Sequence, residues 1–271
     1  MSKRESALRR VMHGDYLPVA FIGSGVSVNC PDWYLFIKKI AELARNNQAL
    51  QAINGGNHHL DLETLLMIAD DSIENINRST LFDYLNTTFV DKDEVPSVFH
   101  AIVRAPFAFY ITTNYDNNIE RAYKESRGQH LRVVLPDNIE EALVALRDDE
   151  PFVLKIHGCA RKGASCVIGR EHYRNTIYNN RHVRYVLAAI LATRPIVFLG
   201  YGQRDPHVTR YFDYERSILP HAVMQRFAFV QRNNTNVVME SYLRRLNVSC
   251  IEMDKWDDLK NILEQCEVGR Q

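Results

Sequence analysis

Four short polar groups carry the residue types able to do chemistry in this chain, and each follows directly on an apolar run. They are Gly23, Ser24, Gly25, Val26 and Ser27 after VAFI; Thr113, Asn114, Tyr115 and Asp116 after FAFYIT; His157 and Gly158 after FVLKI; and Gly200, Tyr201 and Gly202 after IVFL. Gly23 and Gly25 leave no side chain in the way of a phosphate, Ser24 and Ser27 offer hydroxyls, and a following helix aims unpaired N–H groups at the same anion. This reads as a diphosphate cradle. The other groups add an amide, a carboxylate and an imidazole, which orient ligands and move protons. Each group also has a duller reading: a glycine pair makes a tight turn, Asn and Gly terminate strands, and a lone His is a hydrogen-bonded structural residue. Their shared position at strand ends is what gives them weight, because in a parallel sheet all such ends lie on one edge.

The elements that must position them alternate. Residues 1–17 read as a lead-in helix, and Trp33, Phe36, Ile37, Ile40, Leu43 and Ala44 repeat at helical spacing. Residues 46–61, with NGGNHH, read as a loop, and the adjacent His58 and His59 as loop residues rather than metal ligands. Three helices are expected over 62–76, 80–89 and 96–104, with Ser79 as an N-cap and Pro96 in a first turn. Strands are expected at 107–112, 131–135, 152–156, 196–199, 226–230 and 248–253. Between them come helices from 118, from about 139 with Ile139, Leu143 and Leu146 inward, and unbroken from Glu171 to Thr193. After these come a helix capped by Asp205, and further helices over 237–246 and 256–265. Residues 159–169 read as a polar loop with a small strand. The alternation predicts a Rossmann-like α/β fold: one domain over 1–271, with a parallel sheet covered by helices on both faces. The helical block 62–104 is an inserted subdomain over the crevice.

A third glycine of the usual dinucleotide fingerprint is missing, and Glu42 falls inside a helix where an acidic ribose ligand would end a strand. A dehydrogenase reading is weakened accordingly. At 271 residues and 46% hydrophobic content the chain can bury a real core, while Lys plus Arg and Asp plus Glu both number 33. That balance gives no overall field to hold nucleic acid or an anionic membrane. Arg170, Arg174, Arg181 and Arg184 alternate with Tyr173, Tyr178 and Tyr185, read as a solvated or subunit-facing helix before a nucleic-acid surface. The expectation is a cytoplasmic protein without a membrane span or signal peptide. Five scattered cysteines with no C-x-x-C pair argue against a disulfide scaffold or a four-cysteine zinc site, with Cys30 and Cys159 near the site at most.

FIGSGVSVNCPDW, TTNYD, KIHG and FLGYG, in that order over about residues 15–232, resemble the sirtuin motif series. The form is the divergent one of bacterial antiphage NAD-cleaving effectors, including the sirtuin-like domain of Thoeris systems. The resemblance implies that Gly23, Ser24, Gly25, Val26 and Ser27 hold the pyrophosphate of NAD, and that Asp32 and Trp33 close over the nicotinamide ribose. It implies that Asn114, beside Thr113, orients a water or ribose hydroxyl, that Asp116 holds the nicotinamide carboxamide and that His157 is the general base. Gly200, Tyr201 and Gly202 match the second nucleotide turn, and Gln231 to Asn233 the adenosine end. Breaking the nicotinamide–ribose bond passes through an oxocarbenium-like state helped by fixed polar groups, and a His with an ordinary pKa of about 6.5 accepts a proton near neutrality. NAD is then a substrate, and no metal is expected.

The paired cysteines of the sirtuin zinc module are absent and the stretch after His157 is too short to hold it. The leading expectation is therefore an NAD glycohydrolase, the toxic effector of an antiphage defence system. A protein deacylase whose helical block replaces the zinc module is the alternative. A third, non-enzymatic reading is a subunit that senses NAD or ADP-ribose. An unregulated NAD-cleaving enzyme would poison its host, so control in trans is expected, through homo-oligomerisation and a partner such as a HerA-type ATPase.

Overall fold

The computed structural model describes residues 2–55, 60–92, 94–201, 224–232, 241 and 243–267. Expectations for His58, His59, Gly202, Asn233, the Asp205-capped helix and the start of the 237–246 helix lie outside these residues. The strands are β1 (Val19–Ile22), β2 (Tyr110–Thr112), β3 (Arg132–Val134), β4 (Phe152–Lys155), β5 (Ile196–Leu199), β6 (Arg226–Gln231) and β7 (Val248–Met253). They form one seven-stranded sheet in the order β3-β4-β2-β1-β5-β6-β7, with every pair parallel. After β1 the chain adds β2 beside it, lays β3 at the edge and inserts β4 between β2 and β3, then crosses back to add β5, β6 and β7 on the other side of β1. The topological switch point therefore lies between β1 and β5, where α/β sheets open a crevice outside the strand carboxyl ends.

The strands are apolar on both faces because both faces are covered. Val19, Phe21, Ile111, Phe152, Leu154, Ile196 and Phe198 enter one core with α8 (Glu140–Arg147) and α10 (Arg181–Thr193). Ala20, Ile22, Tyr110, Val153, Val197 and Leu199 enter the other. That core is completed by α1 (Lys3–Met12), α6 (Ser97–Arg104), α7 (Asn118–Arg127) and α11 (Trp256–Glu267). A third core joins α2 (Trp33–Leu43), α3 (Asn47–Gly55), α4 (Leu62–Glu74) and α5 (Arg78–Phe89) around Phe36, Leu65, Leu85 and Phe89. The helices between β1 and β2 thus divide: α2 to α5 build their own core, while α6 packs on α7 and α11 against the sheet.

Several local expectations are corrected. Asn47–Gly55 is a helix rather than loop, started by Asn46, whose Oδ1 accepts from the Ala49 amide at 3.0 Å. The N-cap of α5 is Asn77, its Oδ1 accepting from Ser79 N at 2.9 Å, so Ser79 sits one position inside the helix. Leu143 is exposed, because α8 begins at Glu140 and turns Ala142 and Ala145 inward. The stretch after His157 is a 3-10 segment, Ala160–Ser165, without a strand. It packs on α5, with Phe82 against Gly163. The unbroken helix over 171–193 is instead α9 (Arg170–Tyr173), a π-turn (Arg174–Tyr178) and α10. Asn180 caps α10, its Oδ1 accepting from His182 N and Val183 N.

Candidate active site

A cleft of about 590 Å³ opens over the carboxyl ends of β1, β2, β4 and β5, within the size range of small-molecule sites. Its polar wall carries Ser24, Ser27, Thr113, Asn114, Asp116 and His157. Its apolar wall comes from the helical layer, with Trp33, Phe36, Leu62, Leu65 and Phe89. Asp32 and Tyr201 complete the sequence-expected residues on the lining.

The other expected residues lie elsewhere. Gly23, Gly25 and Gly200 form two turns locked backbone to backbone, with Gly25 N donating to Gly200 O at 2.9 Å. A Cβ on Gly25 would come within 2.7 Å of Gly200 O, one on Gly23 within 2.6 Å of Tyr201 Cα, and one on Gly200 within 2.6 Å of Val26 N. The missing side chains are used first by this turn-on-turn contact, which sits at the switch point. Val26 is buried in the core shared with α11, and Gln231 ends β6 opposite Met253. Neither lies on the lining of the cleft. Gly25→Ala should force the turns apart and cost about 1–3 kcal/mol, as overpacking does; a urea midpoint equal to the parent's would show that the turns have slack.

The polar wall is a connected network. Asn114 donates from Nδ2 to Gly23 O at 3.1 Å and to Ser27 Oγ at 2.9 Å, and Ser27 donates onward to Asp116 Oδ2 at 2.8 Å. Asp116 Oδ1 accepts from Asn118 N at 3.0 Å, starting α7. These bonds tie the loop after β2 to the turn after β1, so the amide and the carboxylate are held before any ligand arrives. Each carboxylate oxygen has two lone pairs and keeps acceptor capacity.

Beneath the network lies Lys155, the last residue of β4, fully buried on the α7 side of the sheet. Its Nζ donates to the Asp116 carbonyl and, at 2.8 Å, to Glu120 Oε1 on α7. Burial alone would lower its pKa, but Glu120, Cys159 and Asp116 outweigh that and hold it above the ordinary lysine value. Lys155 is therefore a buried cation tying two strand ends and α7 together. In the sequence it is one residue of the apolar run FVLKI, with nothing local to mark it as a buried cation.

His157 is 4% exposed, and burial pushes its pKa down from 6.5 to about 3. That corrects the expectation of an ordinary imidazole: the ring is neutral throughout the physiological range. The unfolded chain takes up a proton near pH 6.5 that the folded chain refuses until about pH 3. The stability that depends on neutral His157 is thus complete above 6.5 and is lost as pH falls from 6.5 toward 3, by at most about 1.4 kcal/mol per pH unit. In urea titrations at pH 6.5 and 5.0 the parent should lose stability on acidification more steeply than His157→Phe. Parallel slopes would mean that the imidazole is solvated.

Tyr173, Phe36 and Phe89 join the lining without a strand-end motif to mark them. Tyr173 closes over His157, and Trp33, Phe36, Phe89 and Tyr115 stack into one aromatic cluster. The Nε1 of Trp33 is buried with no hydrogen-bond partner among the described residues, a donor left over on a cleft wall. Cys30 lines the cleft, but burial and then Asp116 push its thiol up to about 12, so it carries no thiolate at neutral pH. All five cysteines are free thiols. No helix among the described residues is long and apolar enough to cross a membrane.

A doubly covered parallel sheet with an amide, a carboxylate and an imidazole gathered at its switch point defines an α/β domain of the Rossmann-like class. Within that class, residues 108–251 match the family model described as SIR2-like domain, and the chain belongs to that family. The match spans the loops after β2, β4 and β5. Among known proteins, the chain is 30% identical over 206 residues to defense-associated sirtuin 2 of Bacillus subtilis, covering 74% of this chain and 19% of that protein. It is 23% identical over 210 residues to the NAD(+) hydrolase ThsA of Enterococcus faecium, covering 69% and 43%. To the NAD(+) hydrolase ThsA of Acinetobacter baumannii it is 23% identical over 228 residues, covering 77% and 46%. The chain thus spans less than half the length of the curated relatives it matches.

Proposed function

We propose that this chain is an NAD+ glycohydrolase that releases nicotinamide and ADP-ribose as the effector of an antiphage defence system. The observation that carries the proposal is the joining of Asn114, Asp116 and His157 at the lip of one cleft, beside relatives named NAD(+) hydrolase and defense-associated sirtuin. The residues fit a dinucleotide. Ser24 and Tyr201 offer hydroxyls near the interlocked turns for the pyrophosphate, while Ser27, whose O–H is given to Asp116, holds the network behind them. The unpartnered Trp33 N–H and the spare lone pairs of Asp116 suit a carboxamide, which both accepts and donates.

In this reading Asn114 orients the attacking water or a ribose hydroxyl, and His157 accepts its proton. A base of pKa about 3 is weak in the resting chain. The diphosphate brings negative charge to the cleft, and a nearby anion raises an imidazole pKa toward the range where proton transfer works. Leu62, Leu65 and Phe89 of the helical layer keep bulk water from the reacting carbon. Resting weakness of the base also suits control in trans, by homo-oligomerisation and a partner ATPase of the HerA type.

The test is product analysis of the purified chain with NAD, alone and with an acyl-lysine peptide. Nicotinamide and ADP-ribose in equal amounts, unaffected by the peptide and abolished in Asn114→Ala, are expected. Nicotinamide only with the peptide, accompanied by its deacylation, would replace hydrolysis with deacylase chemistry.

A further inference from the structure

The ring of Tyr173 stands edge-on to that of His157, with centroids 4.9 Å apart and planes at 76°. Its hydroxyl lies 3.4 Å from His157 Nδ1. Tyr173 is 3% exposed and ends α9, a helix of four residues. So short a helix has almost no stability of its own. It is placed by the helical layer: Asp70 of α4 accepts from the amides of Arg170 at 3.1 Å and Glu171 at 3.4 Å, capping its first turn. Gly169 makes room for that carboxylate, since a Cβ there would come within 1.9 Å of Asp70 Oδ1. From the other side, the His157 backbone is pinned by Val167 N at 2.9 Å, and the Val167 carbonyl accepts from Tyr115 Oη at 2.5 Å. Imidazole and phenol thus meet because two separate segments are each fixed.

We propose that Tyr173 is a positioning residue for His157, its phenol oxygen accepting from Nδ1–H and so fixing the tautomer in which Nε2 carries the lone pair. The proposal rests on His157 being the base of the reaction proposed above. A neutral imidazole carries one ring proton, and a phenol can either donate or accept. If the phenol donated, Nδ1 would be the acceptor and Nε2 would hold the hydrogen, leaving nothing to receive a proton from water or a ribose hydroxyl. With the phenol accepting, the proton passes from that hydroxyl to Nε2, and the imidazolium that forms keeps its Nδ1–H bond to the Tyr173 oxygen. A carboxylate does this in serine hydrolase triads. The phenol does it without adding a charge, so the ring stays unprotonated in the resting chain. Through Asp70, the helical layer reaches the base as well as the cleft wall.

The experiment compares the whole chain with Tyr173→Phe, which removes the oxygen and keeps the ring, using NAD as the probe and ¹⁵N-histidine spectra as a second readout. The kcat for nicotinamide release should fall about tenfold, the worth of one hydrogen bond, while KM stays within about twofold. The ¹⁵N signals assigned to His157 by their loss in His157→Gln should change from the Nδ1–H pattern to a mixture of tautomers. Asp70→Ala should reproduce part of both changes by loosening α9. Unchanged kcat and tautomer in Tyr173→Phe, in a parent that cleaves NAD, would overturn the proposal. A parent that leaves NAD intact would sink the base assignment instead, and the tautomer of His157 would still decide whether Tyr173 sets it.

Discussion

His157→Ala should leave NAD binding within a fewfold of the parent and lower kcat for nicotinamide release by about 10²- to 10⁴-fold, the span of a positioned general base. The imidazole lies on the cleft with Asn114 and Asp116 but carries none of the hydrogen bonds that hold those two. Its removal therefore leaves the loop after β2 anchored and the apolar wall intact, so binding and turnover should separate. The alanine also removes the proton that the unfolded parent takes up at this ring, so the variant should lose less stability than the parent between pH 6.5 and 5. Equal kcat in parent and variant would take the base role away from His157. An equal loss in kcat and in NAD affinity would make it a residue that shapes the cleft.

Lys155→Met should be the most destabilising single change near the site, at about 3 kcal/mol. It strips the Asp116 carbonyl of a donor and leaves the Glu120 carboxylate facing a thioether. Its other oxygen, Glu120 Oε2, is buried with no hydrogen-bond partner among the described residues. The Glu120 side chain keeps 16% exposure, and water softens the loss, which places the cost at the lower end for a broken buried pair. Lys155→Met with Glu120→Leu removes both charges and should recover much of the difference, a coupling that urea unfolding of the four variants measures directly. A loss under about 1 kcal/mol in the single variant would mean that the pair contributes little beyond its own desolvation. Because Lys155 holds the backbone of Asp116, the folded fraction of Lys155→Met should also bind NAD more weakly.

The sheet was legible because its strands are buried on both faces. VAFI and IVFL are uninterrupted apolar runs, and such runs are recognisable without any partner. The strand-end groups followed from them, and β1, β2, β4 and β5 are neighbours in the sheet. Less legible was what each glycine is for. Gly23, Gly25 and Gly200 read as room for a phosphate, whereas their first service is to let two turns touch, a contact between positions far apart in the chain. Lys155 was hidden inside FVLKI, since a strand pattern does not say that a lysine is paired with Glu120 on α7, the last helix but one before the strand. Tyr173 was hidden by reading one helix across Asn179 and Asn180. Asn180 caps α10, and an asparagine ahead of the apolar repeat of Val183, Val186 and Leu187 is the local signal that marked the break. The pKa of His157 was out of reach because burial, a property of the assembled cleft, sets it.

Cleavage of the nicotinamide–ribose bond of NAD in this cleft, as proposed, can be measured directly. The most direct measurement is nicotinamide release by the purified chain over a wide range of protein concentrations, with His157→Ala and Asn114→Ala alongside. Release without any acyl acceptor, rising more steeply than protein concentration and absent from both variants, is the predicted result. NAD that stays intact at every concentration while equilibrium dialysis shows it bound would contradict autonomous cleavage and make the chain a nucleotide sensor.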